Sequence, residues 1–257
     1  MPIASHFTSV FEQNWKINFT QCTPNGNLKY TDLCNLLQIT AASHSEIGGI
    51  SFKDMQLFHQ AWVLSRMRVE LIFLPRWNDT ITIRTWINSM ENSRSVRALE
   101  VYVNDVKCVG VVTFWAVFNT QTRRPETLAL PHDHFKLYPN LKATKNSFSK
   151  IELQNNAIKI AEKTVFLSDL DLVNHVNNVK YLEWCLDFVD ETLVLDQQIE
   201  SFEMNFMKEL SLKDIVEIEN SVLENKSVFS IKKDAKSVFA LEVNWKKKSF
   251  KNEAFDL

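Results

Sequence analysis

Apolar residues along the chain fall into helical and alternating spacings that divide it into two halves with the same order of elements. In the first half, residues 15–20 predict a strand and a helix is expected from about Asp32. Thr31 is its expected N-cap and Gly48-Gly49 its expected stop. Leu33, Leu36, Leu37, Thr40 and Ile47 lie roughly on one face of that helix. Strands follow where apolar side chains recur at every second position: Val69, Leu71 and Phe73; Ile81, Ile83, Thr85 and Ile87; Leu99, Val101 and Val103. CVGVVTFWAVF, over 108–118, is nearly all apolar, as expected of a central strand covered on both faces.

The second half repeats this order. A strand is predicted over 158–167 and a single helix from about His175 to Leu195, with the stripe Val179, Leu182, Leu186, Val189 and Leu193 stepping by three and four. Strands follow at 202–207, 215–222, 228–232 and 238–245. A local pattern also recurs, since RWNDTITI (76–83) resembles SLKDIVEI (211–218). The halves are therefore drawn at 1–127 and 156–257, joined by a polar, proline-bearing linker at 128–155. One helix ahead of several antiparallel strands predicts α+β units in which a sheet wraps a helix. Two such units packed sheet to sheet would remove exposed edges.

Composition narrows the function classes. The 257 residues carry 29 Lys+Arg against 31 Asp+Glu, so the overall basic field of a nucleic-acid binder is absent. Only 4 glycines occur, and neither G-x-G-x-x-G nor G-x-x-x-x-G-K-[ST] can be written anywhere. No apolar run reaches the ~18 residues of a membrane span, and the first residues carry no secretory signal pattern. Cys22, Cys34, Cys108 and Cys185 are widely spaced, which predicts reduced thiols in a cytoplasmic protein. The histidines and cysteines do not cluster at metal-ligand spacing, so no metal is expected.

Candidate chemistry concentrates in SDLDLVNHVNNVKYLEW (168–184), where Asp169, Asp171, Asn174, His175, Asn177 and Asn178 crowd the start of an apolar helix. A polar helix entry capped by Asp171 or Asn174 would account for part of this. Three asparagines around one histidine exceed the needs of a cap. A histidine at a helix N-terminus is held neutral by the dipole, able both to donate and to accept a hydrogen bond. Glu209, beside Lys208 at a strand end, is a second candidate if the fold brings it to the His175 helix. KYTDLCNLL (29–37), at the start of the first helix, has no such His–Asn cluster, so only the second half is expected to carry chemistry.

DLDLVNHVNNVKY (169–181) resembles the signature of the acyl-ACP thioesterases, enzymes that release fatty acids from acyl carrier protein. WVLSR (62–66), PRWND (75–79), TW (85–86) and FNTQTRR (118–124) match the family in the same order, from about residue 10 to residue 220. The resemblance implies a double hot-dog fold, with a first half that mainly shapes the acyl pocket and a catalytic second half. It implies hydrolysis of a thioester by water in fatty acid biosynthesis, without metal or organic cofactor. The family's Asp, His and Glu fall on Asp171, His175 and Glu209, with Glu209 or Asp171 as general base. Its Asn two residues before the His falls on Val173, so Asn174, or else Asn177 or Asn178, is expected to take that role. Plant members carry a Cys where this chain has Leu210, and Cys185 is expected to be packing. Arg66, Arg123, Arg124 and Lys180 are candidates for docking the acidic carrier. The alternatives are an acyl-CoA thioesterase or a non-catalytic acyl-binding hot-dog protein, and a homodimer is left open.

Overall fold

The computed structural model describes residues 3–246; residues 1–2 and 247–257, at the outer ends of the two halves, lie outside it. The first half runs β1 (Val10–Lys16), α1 (Tyr30–Ile47), α2 (Phe52–Gln56), β2 (Gln60–Leu71), β3 (Thr80–Glu91), β4 (Arg94–Val103) and β5 (Val106–Asn119). The second runs β6 (Ile158–Thr164), α3 (Asn178–Leu186), α4 (Glu191–Leu195), β7 (Ile199–Phe206), β8 (Ile215–Leu223), β9 (Lys226–Lys233) and β10 (Lys236–Trp245).

Several expected boundaries move, each for a local reason. The first strand lies at 10–16 rather than 15–20, because Asn18 turns the chain by accepting the Thr20 N–H at 3.2 Å. Thr31 lies inside α1; Lys29 holds the N-cap position without a side-chain capping bond. Residues 158–167 are a strand only to Thr164, since the Asp169 carboxylate accepts the Phe166 N–H at 2.9 Å and starts a 3-10 turn. The helix expected from His175 to Leu195 is two helices, because Asp190 accepts the Thr192 N–H at 2.8 Å and opens a new one. Val189 and Leu193 keep the apolar spacing across that break but are only half-buried.

All ten strands form one antiparallel sheet in the order β1-β3-β4-β5-β2-β7-β10-β9-β8-β6. Each half contributes five strands in the same internal order, and the two sets meet edge to edge through β2 and β7, from Arg66↔Asn205 to Glu70↔Ser201. The halves thus satisfy their inner edges by backbone pairing rather than by stacking sheet on sheet. A helix packs against each set, which makes the α+β double hot-dog. Leu33, Leu36, Leu37 and Thr40 of α1 are buried and Ile47 is half-buried. One apolar core runs through both halves, and Tyr30 of α1 sets its ring edge-on to Phe202 of β7 at 6.1 Å.

Residues 120–157 contain no helix or strand, yet they are tied to the sheet. Leu128, Leu130, Phe135, Ala143 and Ile151 are buried. At Gly110 in β5 the segment comes so close that a Cβ would stand 2.0 Å from the Ala143 carbonyl oxygen. Further along, Asn205 of β7 accepts the Ile151 N–H at 3.0 Å.

His44 of α1 is a wholly buried titratable group, stacked near Phe7 and Phe11 and hydrogen-bonded to Arg97 of β4. A guanidinium only donates, so His44 Nδ1 accepts from Arg97 at 2.8 Å and Nε2–H donates to the Thr8 carbonyl at 2.9 Å. Burial, and then the Arg97 charge, push its pKa down from 6.5 to about 3. In the unfolded chain the ring takes up a proton below about pH 6.5, whereas the native ring stays neutral to about pH 3. This contribution to stability is complete above pH 6.5 and is lost as pH falls towards 3, by on the order of a few kcal/mol. Urea unfolding of wild type and His44→Gln at pH 7 and pH 4.5 tests this: the wild type should lose more stability on acidification. Equal losses in the two proteins would contradict it.

Candidate active site

The Asp171–Asn178 segment is a tight loop closed by its own backbone. Asp171 N–H donates to the His175 carbonyl at 2.9 Å, and Asn174 N–H donates to the Asp171 carbonyl at 3.1 Å. The Asp171 Oδ1 accepts the N–H groups of Val173 at 3.0 Å and His175 at 3.3 Å. Asn174 turns the chain with φ of 63°, a left-handed conformation that asparagine tolerates better than most residues. Neither Asp171 nor Asn174 caps the helix. That role falls to Asn177, whose Oδ1 accepts the Val179 N–H at 3.2 Å. His175 therefore stands outside α3, which begins at Asn178, and not at the helix end where the dipole would act on it.

Val176 N–H donates to the Leu210 carbonyl at 2.9 Å, and this one bond brings the loop beside the chain leaving β7. In consequence the Glu209 Oε2 lies 3.4 Å from His175 Nε2. That is ion-pair distance and longer than a hydrogen bond, a looseness common before substrate binds. The same oxygen is paired with Nη2 of Arg123, which enters from the first half beyond β5. Among the described residues Oε1 has no ion-pair partner. Arg123, a sequence candidate for carrier docking, is thus committed to Glu209. Asp171, a candidate base, has one carboxylate oxygen engaged by its own loop.

Asn178 also reaches across the halves, donating from Nδ2 to the Gln38 Oε1 on α1 at 3.0 Å. Along 173–180 the backbone N–H groups donate within the fold, except that of Asn178, which has no acceptor among the described residues. Nothing in the sequence pattern pairs Arg123 with Glu209, 86 positions away, or Gln38 with Asn178, 140 away. The one available signal was that FNTQTRR (118–124) falls in the stretches resembling a thioesterase.

The first half contains the same loop without the His–Glu pair. Thr23 N–H donates to the Asn27 carbonyl, Gly26 N–H to the Thr23 carbonyl and Leu28 N–H to the Pro75 carbonyl, each at 2.8 Å. These bonds match those of Asp171, Asn174 and Val176, and Gly26, with φ of 82°, stands in the place of Asn174. The RWND and SLKD copies agree in detail: Arg76 N–H donates to Asp79 at 2.7 Å and Ser211 N–H to Asp214 at 2.9 Å. By this correspondence Asn27 and Leu74, both buried, occupy the positions of His175 and Glu209.

Gln38 lines a groove of about 350 Å³ between α1 and the first-half sheet, with Ala41, Trp62, Met90 and Trp115 among its walls. Exposed Phe166, Leu167, Leu172 and Val173 give the His175 loop an apolar rim. Cys185 is buried and its thiol is raised by burial, and Leu210 is wholly buried. Among the other docking candidates, Arg66 faces the Phe148 ring at 6.0 Å, Lys180 pairs with Glu183 at 2.8 Å, and Arg124 is exposed. Among the described residues, no three His, Cys, Asp or Glu side chains converge as metal ligands, and no helix is long and apolar enough to cross a membrane.

The left-handed turn at Asn174 predicts an ordered series of variants. Asn174→Gly should leave thermal stability within about 0.5 kcal/mol of wild type, because glycine adopts φ near 60° freely. Asn174→Val should cost about 1–2 kcal/mol. If Val and Gly melt alike, the turn does not govern the choice of residue here.

Comparison with known proteins places the chain in a family. Residues 8–137 match the family model "Acyl-ACP thioesterase N-terminal domain", and residues 153–247 match "Acyl-ACP thioesterase C-terminal domain". An oleoyl-acyl carrier protein thioesterase of Coriandrum sativum is 25% identical over 72% of this chain and 55% of its own length. A palmitoyl-acyl carrier protein thioesterase of Cuphea hookeriana is 25% identical over 81% and 54%. The chain thus spans about half the length of these curated relatives. The crystal structure of an acyl-ACP thioesterase from Bacteroides thetaiotaomicron superposes with a TM-score of 0.85 at 24% identity, covering 93% of this chain and 98% of that one. The 12:0-ACP thioesterase from Umbellularia californica gives 0.82 at 20% identity, with the same coverage. With both family domains matched in order across its two halves, the chain belongs to the acyl-ACP thioesterase family.

Proposed function

We propose that this protein hydrolyses fatty acyl thioesters of acyl carrier protein in fatty acid biosynthesis, with His175 and Glu209 as its reacting side chains. The observation that carries the reading is the convergence of Arg123, Glu209 and His175 in a chain of this family, with Asn178 of the adjoining helix bonded to Gln38 in the wall of a groove. In this reading residues 1–127 supply the acyl groove, 156–257 the chemistry, and 128–155 the strap between them. The first half's counterparts, Asn27 and Leu74, can neither accept a proton as a base nor pair as His and Glu do.

A water held between the free Glu209 Oε1 and His175 attacks the thioester carbonyl, and its proton passes to the carboxylate. The new C–O bond leaves an oxyanion, for which the unpartnered Asn178 N–H is the available backbone donor at the start of α3. Collapse breaks the C–S bond; the sulfur leaves as a thiolate and takes the proton back through His175, giving a fatty acid and the free carrier thiol. Arg123 orients Glu209 throughout, and Asp171 holds the loop that presents His175. Asn177 serves as the helix cap and Asn174 as the turn, so the family's missing asparagine has no side-chain replacement in this scheme other than Asn178.

Thiol release from purified protein and acyl-ACP, with acyl-CoA as a parallel arm, tests the reading. His175→Ala and Glu209→Gln should each lower turnover by about 10²–10⁴-fold. The double variant should be no more than about tenfold worse than either single one, because the pair acts as a unit. Near-wild-type turnover in either variant would remove that residue from the mechanism, and acyl-CoA preferred over acyl-ACP would change the carrier.

A further inference from the structure

Arg97 of β4 is a buried cation, 5% exposed, with no carboxylate within ion-pair distance among the described residues. Its Nη1 donates to His44 Nδ1 at 2.8 Å and Thr85 Oγ1 at 3.2 Å, and its Nη2 donates to Ser45 Oγ at 3.3 Å. Every partner is neutral. A guanidinium has five N–H donors, so these bonds use three and leave two. Burying a charge without an anion is costly, and such groups normally pair or coordinate. Arg97 is not sealed in the core, however. It lines the α1 groove together with Ser45, Ser95 and the apolar side chains of Trp62, Met90 and Trp115. The other charged residues of the groove, Glu46 and Lys53, are exposed.

The position of this cation along the groove is set by α1. Gln38, bonded to Asn178 of the catalytic loop, marks the near end. Ser45, bonded to Arg97, lies two turns further along the same helix, roughly 10 Å away at 1.5 Å per residue. An acyl chain entering past Gln38 and following α1 would come to the Arg97 guanidinium within the same groove.

We infer that the groove selects acyl groups that carry an acceptor oxygen, a carboxylate or hydroxyl, at the end remote from the thioester, with Arg97 as the group that reads it. This rests on the proposal above that the groove receives the acyl chain. A methyl terminus of the same length would leave the guanidinium donors unpaired, which is how a polar site rejects an apolar analogue.

The test is a panel of acyl-ACPs of matched chain length, ending in methyl, hydroxyl or carboxylate, with kcat/KM read from thiol release. In the wild type, one or more lengths should favour the oxygenated terminus by at least about tenfold. Arg97→Met, which keeps the volume and removes the donors, should cut that ratio by tenfold or more; a wild type preferring methyl ends at every length overturns the inference. A binding arm separates this from the hydrolase reading: free α,ω-dicarboxylic acids should raise the wild-type Tm more than monocarboxylic acids of equal length. If no acyl-ACP is hydrolysed, the hydrolase reading falls while the melting shifts still decide about Arg97, and equal shifts for both acid classes overturn the inference.

Discussion

Five residue pairs of backbone, from Arg66↔Asn205 to Glu70↔Ser201, join the inner edges of two sheets into one. Almost everything of functional interest follows from that seam. Without it each half would expose an unpaired strand edge, the usual starting point for aggregation. With it, the end of β5 lies near the exit of β7, so that Arg123 meets Glu209, and α1 lies near α3, so that Gln38 meets Asn178. A second half that supplied His175 and Glu209 alone would leave the carboxylate without its guanidinium. The site is a property of the pair of halves.

The two halves also show how one loop geometry can hold a His–Glu pair in one copy and packing side chains in the other. The backbone bonds of 23–28 and of 171–176 are the same, and so is the Asp-anchored turn that follows each. At the positions that matter, one copy has buried Asn27 and Leu74 and the other half-exposed His175 and Glu209. The fold tolerates both because side chains at these positions do not carry the loop; backbone N–H and C=O groups do.

Much of this was legible in the residues. Period-two spacing located β3 and β8 to β10 to within a few residues but only the second half of β4, and the RWND/SLKD echo correctly marked a repeat. The single helix over 175–195 was misread because Val189 and Leu193 keep a helical period that Asp187 and Asp190 interrupt with a cap. The asparagine cluster looked like one device but is three: Asn174 turns, Asn177 caps, and Asn178 bridges to α1. What separation in sequence hides is the partner of each charge. Glu209 was legible as a candidate, but Arg123 as its partner was not, because that contact depends on two strands docking at a seam no local pattern encodes.

A double-mutant cycle on Arg123 and Glu209 decides whether the site is assembled across the halves. Turnover of acyl-ACP is measured for wild type, Arg123→Ala, Glu209→Gln and the double variant. If Arg123 acts by holding Glu209, its removal should lower kcat/KM about ten- to a hundredfold in the wild-type background, the scale of a misplaced reacting group. It should change kcat/KM by less than about twofold once Glu209 has been replaced. The same fold loss in both backgrounds would mean that Arg123 acts independently of Glu209, and the account of a shared site would be contradicted.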